Sequence, residues 1–152
     1  MTNDLVRLAL SVIVLIVGAA LEDLLPGVGG VGFPILLTAV QVFACRFDPL
    51  SMTLLALAAG AMEDALSSLA PLTSGSYFLL VAAVVRWARL PRLATILTYP
   101  GYQVWLSLWA FGAGVNAYTR ILLAFPVGVL TALPVAAALG WARRKVALDE
   151  RG

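Results

Sequence analysis

Two Glu-Asp pairs, Glu22-Asp23 and Glu63-Asp64, hold half of the eight acidic residues in the chain. They occur in matching settings, GAALEDLL and, forty-one residues on, AGAMEDAL. Paired carboxylates can divide acid and base work between them. They can also hold polar contacts at the end of a helix. The rest of the inventory argues against catalysis. The chain has no histidine, so it lacks the commonest proton shuttle and metal ligand. Its one cysteine, Cys45, excludes an intrachain disulfide. The run GVGGVG, residues 27–32, fits G-x-G-x-x-G, but no strand precedes it and no βαβ unit surrounds it. Its glycines suit a tight turn and close backbone approach before Phe33-Pro34. We expect no enzyme activity, cofactor or metal.

The elements that carry these acids are apolar. Of the 152 residues, 62% are hydrophobic and 12% charged, with a mean hydropathy of +0.98. Soluble domains are nearer half apolar and a quarter charged, so a lipid bilayer is the expected solvent. The apolar segments run along the whole chain, which a single signal peptide does not explain. The net charge of +2 is too small to suggest nucleic acid.

Six apolar segments are expected as helices, over about 5–22, 33–45, 50–66, 73–88, 100–118 and 121–141. The second is short, and glycines 27, 29, 30 and 32 would extend it as a wound or partly re-entrant segment. The fold class is therefore all-α: a polytopic membrane protein with a single bundle of six transmembrane helices. Nine of the ten basic residues then share one side: Arg7, Arg46, Arg86, Arg89, Arg92, Arg143, Arg144, Lys145 and Arg151. The other side has Arg120. By the positive-inside rule both termini are cytoplasmic.

In this topology both Glu-Asp pairs fall at the outer C-terminal ends of helices 1 and 3. An acid there opposes the helix dipole, at about 0.3–1 kcal/mol each. Either they are solvated helix ends, or they make a polar contact at the mouth of the bundle. For the contact, Asp64 is the first candidate and Arg120 the candidate partner, with Glu63, Asp23 and Glu22 beside them. The forty-one-residue offset suggests a repeat of helix hairpins, with Asn116 in GAGVNAYTRILL as a weak third echo. Ala124, Gly128, Ala132, Ala136 and Gly140 recur every fourth residue. Such a stripe lets a helix of this chain or of a partner approach closely. Pro126 and Pro134 on the same segment predict bends. Tyr99, Tyr102, Trp105, Trp109 and Trp87 read as interfacial anchors or packing aromatics. The basic inner face suits topology and anionic-lipid contact, with docking of a cytoplasmic protein as the other reading.

The stretch PLSMTLLALAAGAMEDALSSLAPLTSGSYFLLVAAVV resembles MreD, the rod shape-determining membrane protein family. That family's pattern is a small-residue helix, Gly then two or three apolar residues and Asp, a short loop, and a new apolar helix. Gly60, Asp64 and the loop from Ser67 to Gly75 sit accordingly, while Glu63 ahead of the Asp is a departure. GFPILLTAVQVFACRF resembles the family's proline-led second segment. The resemblance implies a non-enzymatic scaffold of the cell-elongation complex in the bacterial inner membrane. It would bind MreC, with links to MreB, RodA and its transpeptidase, and help maintain rod shape during peptidoglycan synthesis. The alternative is a substrate-binding subunit of a vitamin-like small-molecule importer. In that case the Glu-Asp pairs, the glycine run and the aromatics would line a ligand pocket.

Overall fold

The computed structural model describes residues 2–25, 31–87, 92–111 and 115–149. Among the described residues it is all-helical, with six α-helices and one π-helical turn. These are α1 (Thr2–Leu24), α2 (Ile35–Ala44), α3 (Pro49–Leu66), α4 (Thr73–Trp87), α5 (Arg92–Leu106), the π turn Ser107–Phe111, and α6 (Val115–Asp149).

The starts and stops follow from local chemistry. Pro49 occupies the first turn of α3, where its missing N–H costs nothing. Asp48 caps that turn, its carboxylate accepting from the amides of Leu50 (3.1 Å) and Ser51 (3.0 Å). The Ser51 hydroxyl and amide hold the Asp48 carboxyl below the usual carboxylate range. At the other end of α3, Ser68 adopts a left-handed conformation (φ 52°). Leu69 N–H then donates to the Asp64 carbonyl at 2.9 Å, the long bond of a Schellman cap in which Ser stands where Gly is usual.

The short helix α2 lies at the centre and packs against α1, α3, α4 and α6. Its Leu36, Leu37, Val40 and Ala44 are at most 1% exposed and meet Leu15, Ala56, Phe78 and Ala82 in one core. Polar bonds tie the helices laterally. Gln41 Nε2 donates to Thr98 Oγ1 at 2.6 Å, and Trp105 Nε1 donates to the Thr73 carbonyl at 2.9 Å. The Tyr77 hydroxyl donates to the Thr98 carbonyl, and Arg86 to the Phe47 carbonyl.

Two pairs of helices touch through glycine. A Cβ on Gly60 of α3 would collide with the backbone of Gly75 in α4 and come within 3.0 Å of the Ser74 carbonyl carbon. A Cβ on Gly128 of α6 would lie 2.6 Å from the Ile96 carbonyl oxygen of α5. Pro100 explains the second approach. It lies inside α5 and has no N–H for the Ile96 carbonyl four residues earlier. The exposed turn of backbone faces Gly128, where only a Cα hydrogen stands in the way.

The fifth and sixth elements differ from the sequence-derived segments. The fifth segment was expected over about 100–118, yet α5 begins at Arg92 and runs through Pro100. The break expected between the fifth and sixth segments, after residue 118, is helical and belongs to α6, which extends over 35 residues from Val115 to Asp149. Four of the glycines expected to extend the second segment include three, at 27, 29 and 30, that lie outside the described residues; Gly32 precedes α2 and is not helical. Among the described residues, no helix is long and apolar enough to cross a membrane. Helices α2, α4 and α5 have 10, 15 and 15 residues, and the Glu-Asp pairs cut the apolar stretches of α1 and α3 short.

Candidate functional site

The two Glu-Asp pairs share a device that explains their place at an unfavourable helix end. Glu22, near the end of α1, accepts through Oε2 from the amide of Leu36 at 3.1 Å. Asp64, near the end of α3, accepts through Oδ1 from the amide of Ser74 at 2.7 Å. Leu36 and Ser74 are each the second residue of the helix that follows. Each acid thus opposes the dipole of its own helix but caps the N-terminus of the next, where negative charge is favoured and a backbone donor lacks a partner. The hairpin α1–α2 does this with the Glu of its pair and α3–α4 with the Asp. Glu22 reaches across 14 residues of sequence and Asp64 across 10, so the longer side chain serves the longer connection.

The four acids differ sharply in burial. Glu63 is 9% exposed and Asp64 4%, Glu22 is half-buried, and Asp23 is exposed. Glu63 is therefore no solvated helix end. Its Oε1 accepts from the Ser67 hydroxyl at 3.2 Å and from Tyr102 at 3.4 Å. Asp64 has one satisfied oxygen, while Oδ2 is buried without a hydrogen-bond partner. Tyr102 and Ser74 share a hydrogen bond of 2.6 Å, which connects the Glu63 side to the Asp64 side.

Around these groups lies a cavity of about 310 Å³. Glu22, Asp23 and Glu63 line it from α1 and α3, Tyr99, Tyr102, Gln103 and Leu106 from α5, and Arg120 from α6. The sequence-derived partner Arg120 therefore shares one cavity with three of the four candidate acids, while Asp64 stands behind its wall at the α3–α4 contact. The role of Tyr99 and Tyr102 was not legible from type alone. They are 3% exposed, stack at 6.5 Å, and Tyr99 donates to the Gly32 carbonyl. Trp87 and Trp109 are outward, at 69% and 71% exposed. The spacing of Tyr99, Tyr102 and Leu106 at three and four residues was the available signal for one inward face.

The small-residue stripe faces inward where it is described. Ala124 and Ala132 are buried, and Gly128 meets α5. Ala136 and Gly140 continue along α6, and their side-chain surroundings lie outside the described residues. Asn116 is exposed and is the second residue of α6. Among the described residues no cluster of three His, Cys, Asp or Glu side chains has the arrangement of a metal site. Comparison with protein-family models, with curated proteins and with solved structures gives no match.

Proposed function

We propose that this chain is a membrane-embedded, non-enzymatic scaffold, an MreD-like subunit that holds an MreC-like partner in the bacterial cell-elongation complex. One observation carries the membrane part: polarity is distributed inside out. Ser11, Gln41, Glu63, Asp64, Ser74, Gln103 and Ser107 are buried, while Val6, Leu10, Ile13, Val14, Ile16 and Val17 of α1 are each more than half exposed. These exposed residues lie on several faces of α1, which suits lipid better than one protein partner. Helices shorter than about 20 residues are accommodated by local thinning of the bilayer and by loops packed against protein. The scaffold part is supported by the stretch that resembles MreD. Its Gly60, Asp64 and Gly75 form one rigid junction between α3 and α4, which suits a structural role. The chain would be a six-segment protein of the inner membrane with both termini cytoplasmic.

Topology reporters fused after Gly152 and within residues 67–75 should report opposite sides of the membrane. A C-terminus outside the cell would overturn the arrangement. A pull-down from native membranes, read by mass spectrometry, should recover an MreC-like protein. Recovery of an ATPase-driven transport module instead would replace the scaffold with the importer subunit, the reading that the cavity favours.

A further inference from the structure

We infer that the side of the bundle formed by α1, α3 and α4 takes a thin bilayer, and that its lipid partners are phospholipids with short acyl chains packed around an apolar belt about 24 Å high. The inference rests on the membrane reading above and not on the MreC-like partner. It names the kind of lipid that the exposed apolar surface fits.

The height of the belt follows from charges at fixed positions. On α1, exposed charged residues stand at Arg7 and Asp23. On α3, the belt begins after exposed Asp48 and its acid pair ends at Asp64. The two intervals, 7 to 23 and 48 to 64, are equal. Each measures about 24 Å at the helical rise of 1.5 Å per residue. Inside them the only charged residues are Glu22 and Glu63, each beside the acid that closes its interval. Between the limits α1 exposes Leu10, Ile13 and Val17, α3 exposes Leu54, and α4 exposes Leu80 and Val84. The limits also lie at common levels. At the outer end Asp23 and Glu63 line one cavity. At the inner end Arg86 of α4 donates to the carbonyl of Phe47, the neighbour of Asp48. The 15 residues of α4, about 22 Å long, agree with the same height.

A typical hydrocarbon core is about 30 Å thick, so the belt is about 6 Å short. Side chains do not close the gap. Asp48 has a short side chain that is held by the Leu50 and Ser51 amides, so it does not reach outward as a long basic residue does. Drawing an exposed charge into hydrocarbon is costly, so the lipid is what adjusts. Tilt lowers a belt and never raises it, which makes about 24 Å an upper limit. Helix α6 is charge-free over residues 121–142, about 33 Å, and meets a thin bilayer by tilting. The short helices therefore set the thickness. Short acyl chains fill such a belt at their resting length, whereas long ones must compress against it.

The test uses the purified full chain in vesicles of dimyristoleoyl, dipalmitoleoyl, dioleoyl or dierucoyl phosphatidylcholine, in order of rising chain length. Flotation shows whether the chain enters them; absence from all four would overturn the membrane reading and this inference with it. Competition against brominated dioleoyl phosphatidylcholine, read by quenching of the chain's tryptophan fluorescence, then ranks the lipids. At least one of the two shorter lipids should bind at least about threefold more tightly than the dioleoyl lipid. Equal binding of all four, or an optimum at the dioleoyl lipid or longer, would leave the membrane reading standing and overturn this inference. Arg7→Leu combined with Asp23→Leu removes both limits on α1. It should raise binding of the dioleoyl lipid relative to the dimyristoleoyl lipid at least about twofold. Arg7→Lys combined with Asp23→Glu keeps the charges and should keep the parent's ranking. An unchanged ranking in the leucine pair would overturn the assignment of the belt to these charges. Circular dichroism shows whether each variant is folded, and if the leucine pair is not, the parent's own ranking decides.

Discussion

The contact between Gly60 and Gly75 allows a sharp prediction, because the two glycines are not equivalent. Gly60→Ala would drive a methyl group into the backbone of Gly75, with the Ser74 carbonyl carbon 3.0 Å away. Carbon atoms pack best at about 3.5–4.0 Å, so α3 and α4 must part by about 1 Å. Backbone on both sides leaves no flexible side chain to move instead. Overpacking of this kind costs about 1–3 kcal/mol. The same separation stretches the 2.7 Å bond from Ser74 N–H to Asp64 beyond useful range and strands a buried carboxylate, adding about 1–3 kcal/mol. Alanine returns about 1 kcal/mol of helix propensity. The net expectation is a loss of about 1–5 kcal/mol. Gly75→Ala is different, because its methyl would meet only Leu72 Cδ2 at 3.7 Å and Leu57 Cδ2 at 3.8 Å, ordinary contacts. It should be neutral, or more stable by up to about 1 kcal/mol. Reversible denaturant unfolding in mixed micelles, followed by circular dichroism, measures both. Equal stability of Gly60→Ala and the parent, or equal damage by the two substitutions, would refute the backbone-to-backbone junction.

Gly128→Leu should destabilise the protein by a similar margin, because its side chain would strike the Ile96 carbonyl; unchanged unfolding would show that α5 and α6 do not meet there. Asp64→Ala should cost about 1–3 kcal/mol by orphaning the Ser74 amide, while Asp64→Asn retains that bond and should cost less; the same unfolding curves compare them. Glu22→Ala should cost about 1 kcal/mol through loss of the α2 cap and speed amide exchange at Leu36, which hydrogen–deuterium exchange reads directly. Asp48, held below its ordinary value by Ser51, contributes fully above the usual carboxylate range and less as pH falls through its lowered folded value. Asp48→Asn should keep the cap and flatten that acid-side loss, as thermal melts across a pH series would show.

The helical class was legible in the sequence because apolar runs of this length, separated by short polar breaks, have few other solutions. So was the importance of the acids, because charge in so apolar a chain stands out. What they do was less legible. Placing Glu22 and Asp64 at the ends of their own helices made them look costly, since the dipole of a single helix is a local property. Their partners, Leu36 and Ser74, belong to the next helix and are backbone amides, which carry no sequence signal. The fifth segment was expected from about residue 100, whereas α5 begins at Arg92 and holds a proline in its interior. Pro100 normally ends a helix, but here the carbonyl it leaves behind faces Gly128, twenty-eight positions away. Tyr99 and Tyr102 look alike with Trp87 and Trp109 as residue types, and only packing separates two buried rings from two exposed ones.

The two hairpins use one capping device but differ in stiffness. In α3–α4 the acid is 4% exposed, the connection is short, and glycine meets backbone. In α1–α2 the acid is half-buried, and a Cβ on Gly18 would meet side-chain atoms of Ile35 at 3.2 Å and Leu36 at 3.8 Å, which can turn aside. Side chains in such a contact can repack at small cost, whereas two backbones cannot. The cavity sits across this boundary, with Glu63 on the stiff hairpin and Glu22 on the yielding one. The acids of the two pairs therefore have unequal mechanical roles: Asp64 locks α4 to α3 through the Ser74 amide where backbone meets backbone, and Glu22 holds α2 to α1 through the Leu36 amide across a contact that is able to give.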